Sequence, residues 1–170
     1  ALTMAARLGV ELGGDVQLGF SPKQEHLIVH REGFVIASRL IDGTSPNVEQ
    51  IIPTARDRVI EVSREILRNG LRRITPTLGD SQAVKLTPAA TSLTLTGHNR
   101  DIVDGQEELD CTCQGDPPVF CVQAKYLLDY LECISVETVR LYVNGPLDPI
   151  LIHLVNDESY TYIVMPTQGE

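Results

Sequence analysis

Four cysteines, a cluster of carboxylates and a run of arginines are the side chains of this chain whose chemistry could be put to use. The thiols are Cys111, Cys113, Cys121 and Cys133. Cys111 and Cys113 fall in an alternating stretch, so both project from one strand face. A structural zinc site needs four ligands at recognisable spacing. The chain has no CxxC, and His26, His30, His98 and His153 are scattered. Free, half-buried thiols are therefore expected, with no metal and no cofactor. Asp101, Asp104, Glu107, Glu108 and Asp110 could serve glycoside hydrolysis or hold a hard cation only if they converged across a bound ligand. They lie where a loop enters a strand, which reads as a solvated turn, as does Asp157-Glu158-Ser159. There is no GxGxxG after a strand, no GxxxxGK[ST], no HExxH and no GxSxG. Catalysis has no motif to rest on; a small hydrolase built on the acidic loop is a distant alternative.

The arginines are more suggestive. The chain has a net charge of −9, which argues against a general nucleic-acid glue. That average hides an asymmetry. Between Arg56 and Arg73 there are six arginines and three acids, whereas from Asp101 onward thirteen acids face only Lys125 and Arg140. Arg64, Arg68 and Arg72 recur every four residues and share one face of any helix, and Arg58, six residues earlier, falls on the side away from the apolar residues. Guanidinium groups along a helix suit phosphates, which need charge and no base readout. Glu61 and Glu65 could equally pair with them and leave an ordinary salt-bridged surface.

Several elements must position these groups. The 170 residues have an apolar content of 42% and no Trp, enough for one domain or a small pair with a substantial core. No apolar run reaches the roughly 18–20 residues of a membrane span, and no basic-then-apolar leader is seen, so no membrane partner is expected. The sequence predicts a short helix from Leu2 to Leu12, then strands over 16–20, 26–31 and 33–40. A second helix is predicted from a capping box at Thr54 and Asp57 to about Gly70, with Val59, Ile60, Val62, Ile66, Leu67 and Leu71 inward. Strands follow near 83–86, 92–97 and 106–113. The last unit reads as a strand over 119–122, a helix over 124–134, and strands over 138–143, 149–155 and 160–165. Asn144-Gly145 is a hairpin signal. The pattern is α+β: repeated αβββ units with helices on one face of antiparallel sheets.

Three strings add a resemblance. They are Gly33-Phe34-Val35-Ile36-Ala37-Ser38-Arg39-Leu40-Ile41-Asp42-Gly43 with Pro46 and Ile51-Ile52-Pro53, then Tyr126-Leu127-Leu128-Asp129-Tyr130-Leu131, and the terminal Tyr162-Ile163-Val164-Met165-Pro166. In order and over nearly the whole chain, they resemble the bacterial DNA polymerase III beta subunit family, the sliding clamps. The resemblance implies that residues 1–52 are the second half of the family's middle domain and 53–170 its C-terminal domain. It implies a ring of αβββ-type units with helices lining a hole, acting as a non-catalytic processivity factor in the bacterial cytoplasm, associated with the nucleoid. The implied partners are double-stranded DNA, held without sequence preference by Arg58, Arg64, Arg68 and Arg72, and polymerase and clamp-loader subunits. The latter would bind through linear peptides with Leu and Phe anchors. By position, the peptide pocket comprises Pro46, Ile51, Gln123, Tyr126, Leu147, Pro149, Ile163, Val164, Met165, Pro166 and Thr167. Thr167 stands where a second Met is usual, and Gln50 where a base is often found. The alternative reading is a stand-alone αβββ module that binds peptides and never encircles DNA. The chain starts without Met inside a helical stretch, so it reads as a piece of a longer protein. Self-association through residues 1–40 is expected, because apolar faces and open sheet edges recruit other chains.

Overall fold

The computed structural model describes residues 15–43, 47–80, 82–99, 104–155 and 157–168. The chain divides into two compact units, Ala1–Pro46 and Asn47–Glu170, a boundary earlier in the chain than the expected 52/53. The helix predicted over Leu2–Leu12 lies outside the described residues, as does Pro46.

The first unit is a three-stranded antiparallel meander of β1 (Gln17–Phe20), β2 (His26–Arg31) and β3 (Phe34–Arg39). Its strands lie within a residue of their predicted bounds. Ser21 fixes the first turn, its Oγ accepting from the amides of Glu25 and His26 at 3.1 Å. The second turn needs only Glu32 and Gly33, because Arg31 pairs with Phe34 and Gly33 takes φ +92°. A residue with a Cβ is strained there.

The second unit opens differently from the prediction. Val59–Ser63 is a strand, β4, and the helix α1 begins only at Arg64 and runs to Ile74. Thr54 and Asp57 form no capping box, since residues 53–56 carry no helix. Ile60 and Val62 are buried and their neighbours less so, which is strand alternation. Those positions also fit a helical stripe; β-branched residues at three of five positions favour the strand. Arg58 consequently lies off the helix altogether.

From there the order is β5 (Ala83–Pro88), β6 (Ser92–Gly97), β7 (Gly105–Gln114), β8 (Phe120–Gln123), α2 (Ala124–Cys133), β9 (Thr138–Tyr142), β10 (Ile150–Leu154) and β11 (Asp157–Val164). All pairings are antiparallel in one eight-stranded sheet, β11-β10-β9-β4-β7-β6-β5-β8. The two repeats are thus strand-helix-three strands, and β4 joins them by pairing with β9 on one side and β7 on the other. The α+β class with antiparallel sheet stands as predicted.

Both helices turn their apolar sides to the sheet. Leu67, Leu71 and Ile74 of α1 and Leu127, Tyr130 and Leu131 of α2 join Ile60, Leu86, Leu95, Leu141 and Ile152 in one core. Each fully buried Leu or Ile is worth about 1.5–3 kcal/mol relative to exposure. Gly70 lets α1 settle on the sheet: a Cβ there would sit 2.8 Å from Leu109. Ile66, expected inward, is 39% exposed.

Candidate partner-binding site

Five of the residues singled out by sequence, Leu147, Pro149, Ile163, Val164 and Met165, lie at one end of the β10–β11 pair. Ile150 lies opposite Val164 and Leu151 opposite Ile163. The loop carrying Leu147 and Pro149 therefore enters β10 where Met165 leaves β11. Val164 is buried in the core, which fixes the strand face, while Met165 is 54% and Leu147 55% exposed. Large apolar side chains held half in water at a strand end are candidates for contact with a partner.

The segment after β11 is held down. The Thr167 amide donates to the Cys121 carbonyl at 2.8 Å, joining the C-terminal segment to β8, the strand at the opposite edge of the sheet. Gln123 ends β8 and precedes α2, whose first turn exposes Tyr126 at 45%. The Tyr162 hydroxyl donates to the Tyr126 carbonyl at 3.0 Å. Tyr130 stacks on Tyr162, with ring centroids 4.6 Å apart, and on Tyr160 at 6.0 Å. Burial pushes the Tyr130 hydroxyl up to about 12. Burial, then the Asp129 carboxylate, raises Tyr162 as well. Both phenols stay neutral in the physiological range, so Tyr162 remains a donor to the helix.

A wide cavity of about 830 Å³, largely open to solvent, lies beside this end of the sheet. Ile51, Ile52, Pro53 and Pro149 give it apolar walls, with Glu49, Gln50, Asn144 and Asp148 around them. Asn144 ties the walls together. Its Nδ2 donates to the Ala55 carbonyl at 3.2 Å, and its own carbonyl accepts from Arg58 at 2.6 Å. In sequence Asn144 is only a turn residue; in the fold its amide bonds a segment 89 positions away. Ile51 and Pro149 of the predicted set line this cavity, whereas Gln123, Tyr126 and Val164–Thr167 belong to the neighbouring β8–α2–tail arrangement.

The arginines are not one free stripe. Arg64 Nη1 donates to the carbonyls of Leu131 and Ile134, both at 2.9 Å, at the end of α2. Arg72 pairs with Glu132 at 2.7 Å, both side chains about half exposed. Arg73 grips Glu107 with two bonds of 2.9 and 3.0 Å, which holds that carboxyl below its ordinary range. Arg68 has its Nε buried without a partner among the described residues. Lys125 and Asp129 pair along α2.

Cys111 and Cys113 do share a face, with Sγ atoms 3.6 Å apart, and burial pushes the Cys111 thiol up to about 12. Among the described residues no three His, Cys, Asp or Glu side chains converge as metal ligands would. In the acidic stretch Asp104 pairs with His98 and Glu107 with Arg73; Asp101 lies outside the described residues.

Comparison with known proteins gives this arrangement a context. The family model described as the DNA polymerase III beta subunit, C-terminal domain, matches residues 49–168. The beta sliding clamp of Escherichia coli strain K12 is 25% identical over 155 residues, covering 91% of this chain and 42% of that protein. A Pseudomonas aeruginosa sliding clamp solved bound to griselimycin superposes with a TM-score of 0.76 at 26% identity, covering 96% of this chain and 44% of that one. The Caulobacter crescentus beta sliding clamp is alike in fold, with a TM-score of 0.81 at 24% identity over 99% of this chain and 44% of its own. The chain thus spans less than half the length of the relatives it matches.

Proposed function

This chain belongs to the DNA polymerase III beta subunit family, and we propose that it acts as part of a sliding clamp, a processivity factor of bacterial DNA replication. It does no chemistry itself. In the whole protein it tethers the polymerase to double-stranded DNA in the cytoplasm, at the nucleoid, and takes polymerase and clamp-loader subunits by linear peptides with Leu and Phe anchors. The match of the C-terminal-domain model over residues 49–168 carries this reading. The exposed Leu147, Tyr126 and Met165 around a clasped tail support the peptide site, completed by Ile51, Gln123, Pro149, Ile163, Val164, Pro166 and Thr167. Large, half-exposed apolar groups on a fixed frame are what a peptide anchor needs. Arg68 and Arg72 are the members of the arginine face that can turn to phosphate, with Arg58 and Arg64 adding charge from positions they hold structurally.

One observation favours the second reading, a peptide-binding module that never encircles DNA. Arg58, Arg64 and Arg72 each already bond a group within the protein. Two measurements decide. A fluorescent peptide with Leu and Phe anchors should saturate the chain at micromolar concentration, and the Tyr126→Ala, Met165→Ala double variant should bind at least about tenfold more weakly, the loss of roughly 1.4 kcal/mol of contact. No saturable binding by the wild type up to millimolar concentration refutes the peptide site. The full-length parent loaded on circular DNA should be lost when the circle is cut; retention on linear DNA, or no loading, supports the module.

A further inference from the structure

The cavity at Pro149 has a charge pattern that its apolar walls do not require. Of the residues that line it, two are charged, Glu49 and Asp148, and both are acidic. Both are exposed, and neither makes an ion pair among the described residues. Each is placed by local structure. Glu49 sits in a short 3₁₀ turn, Val48–Gln50, whose start is capped by Asn47: its Oδ1 accepts from the Glu49 amide at 3.2 Å. Asp148 folds over Gly145, so closely that a Cβ on that glycine would lie 2.5 Å from Oδ2. The cation tied to this wall, Arg58, is directed at the Asn144 carbonyl and does not line the cavity.

We propose that Glu49 and Asp148 make this cavity select partner peptides that carry basic residues beside their apolar anchors. The inference rests on the peptide-binding reading above and specifies its partner. A volume of about 830 Å³ can take more than one side chain. An extended peptide with its apolar anchors against Ile51 and Pro149 brings its flanking residues to the two carboxylates. Lysine or arginine there meets an unpaired opposite charge; glutamate meets a like charge, in a chain that is already acidic overall. Charge complementarity of this kind sorts partners more than it adds affinity.

The test uses the 170-residue chain and three labelled peptides with one Leu/Phe core, flanked on both sides by Lys, Gln or Glu. At low salt the Lys-flanked peptide should bind about two- to tenfold tighter than the Gln-flanked one, the range expected of two exposed ion pairs, and the Glu-flanked one should be weakest. The Lys-over-Glu ratio should shrink at least threefold in Glu49→Gln, Asp148→Asn and toward one at high salt. Thermal melting confirms that the variant is folded; if it is not, the single changes are compared instead. Equal binding of the three peptides overturns the inference while leaving the peptide site intact. A Lys preference that survives undiminished in the double variant overturns it too, since the net charge of the chain is then its source. If no peptide binds, the peptide-site reading itself has failed.

Discussion

Replacing Arg64 by Met should destabilise the second unit by about 2 kcal/mol. α2 ends at Cys133 without a glycine cap, Ile134 being extended at φ −108°, and carries no basic residue in its last turn. The last carbonyls of a helix have no partner within it and need partners from elsewhere. Arg64, the first residue of α1, supplies them from across the fold: one Nη1 reaches both Leu131 and Ile134, while its amide donates to Glu137 at 2.8 Å. Hydrogen bonds from a charged donor are worth about 1.5–3 kcal/mol net, and a cation at a helix C-terminus adds roughly 0.3–1. Water can reach this partly exposed place and rescue the carbonyls in part, so the low end of the sum applies. The exposed Arg72–Glu132 pair, by contrast, is worth at most about 1 kcal/mol. Urea unfolding followed by circular dichroism should place Arg64→Met about 2 kcal/mol below the wild type, or roughly 8 °C in Tm, and Arg72→Met within about 1 kcal/mol. An Arg64→Met variant as stable as Arg72→Met would refute the assignment and return Arg64 to the free phosphate-facing stripe.

Gly115 takes φ +71°, and a Cβ there would fall 1.9 Å from the Asp57 carbonyl oxygen, so Gly115→Ala should lose more than about 2 kcal/mol in the same urea titration. Cys133 is exposed whereas burial raises the thiols of Cys111, Cys113 and Cys121, so a chromogenic disulfide reagent at neutral pH should titrate one thiol quickly and three slowly; Cys133→Ser should abolish the fast phase. Arg73 holds the Glu107 carboxyl below its ordinary value, so this pair stabilises the fold above the usual glutamate pKa of about 4.3, and that contribution disappears as pH falls through the lowered value. The stability gap between wild type and Glu107→Gln should therefore be seen at pH 7 and close in acid; a gap that widens in acid would contradict the pairing.

Much of the fold was legible because strands with one buried face announce themselves. β2 and β6 have the bounds that alternation predicts, and α2 differs by one residue at its end. The failure at β4 has a definite cause. Ile60 and Val62 satisfy both a two-residue and a 3.6-residue period when read with Leu67, and Thr54 with Asp57 imitates a helix start. What decides is non-local: β4 is the strand between β7 and β9, and its backbone groups pair on both sides. The site was legible as a set of apolar positions, not as a geometry. Nothing local to Thr167 indicates that its amide finds Cys121, or that Asn144 holds Ala55. Periodicity describes the face a residue occupies; it carries no information on which distant carbonyl its amide will meet.

Composition alone does not say which of the clustered arginines are free to meet a phosphate. Six arginines in eighteen positions suggested a phosphate-binding face, yet the fold divides them by what each would leave behind if it turned away. Moving Arg64 strands the carbonyls of Leu131 and of the cap residue Ile134. Moving Arg58 frees the Asn144 carbonyl and loosens a cavity wall. Moving Arg72 gives up one exposed ion pair, which salt already weakens and which a phosphate would replace with an interaction of the same kind. An internal carboxylate partner is therefore exchanged for phosphate at less cost than an internal carbonyl at a helix end. For the proposed DNA-facing side this leaves Arg72 with the contact most easily exchanged for phosphate, while at the start of the same helix Arg64 fastens α2.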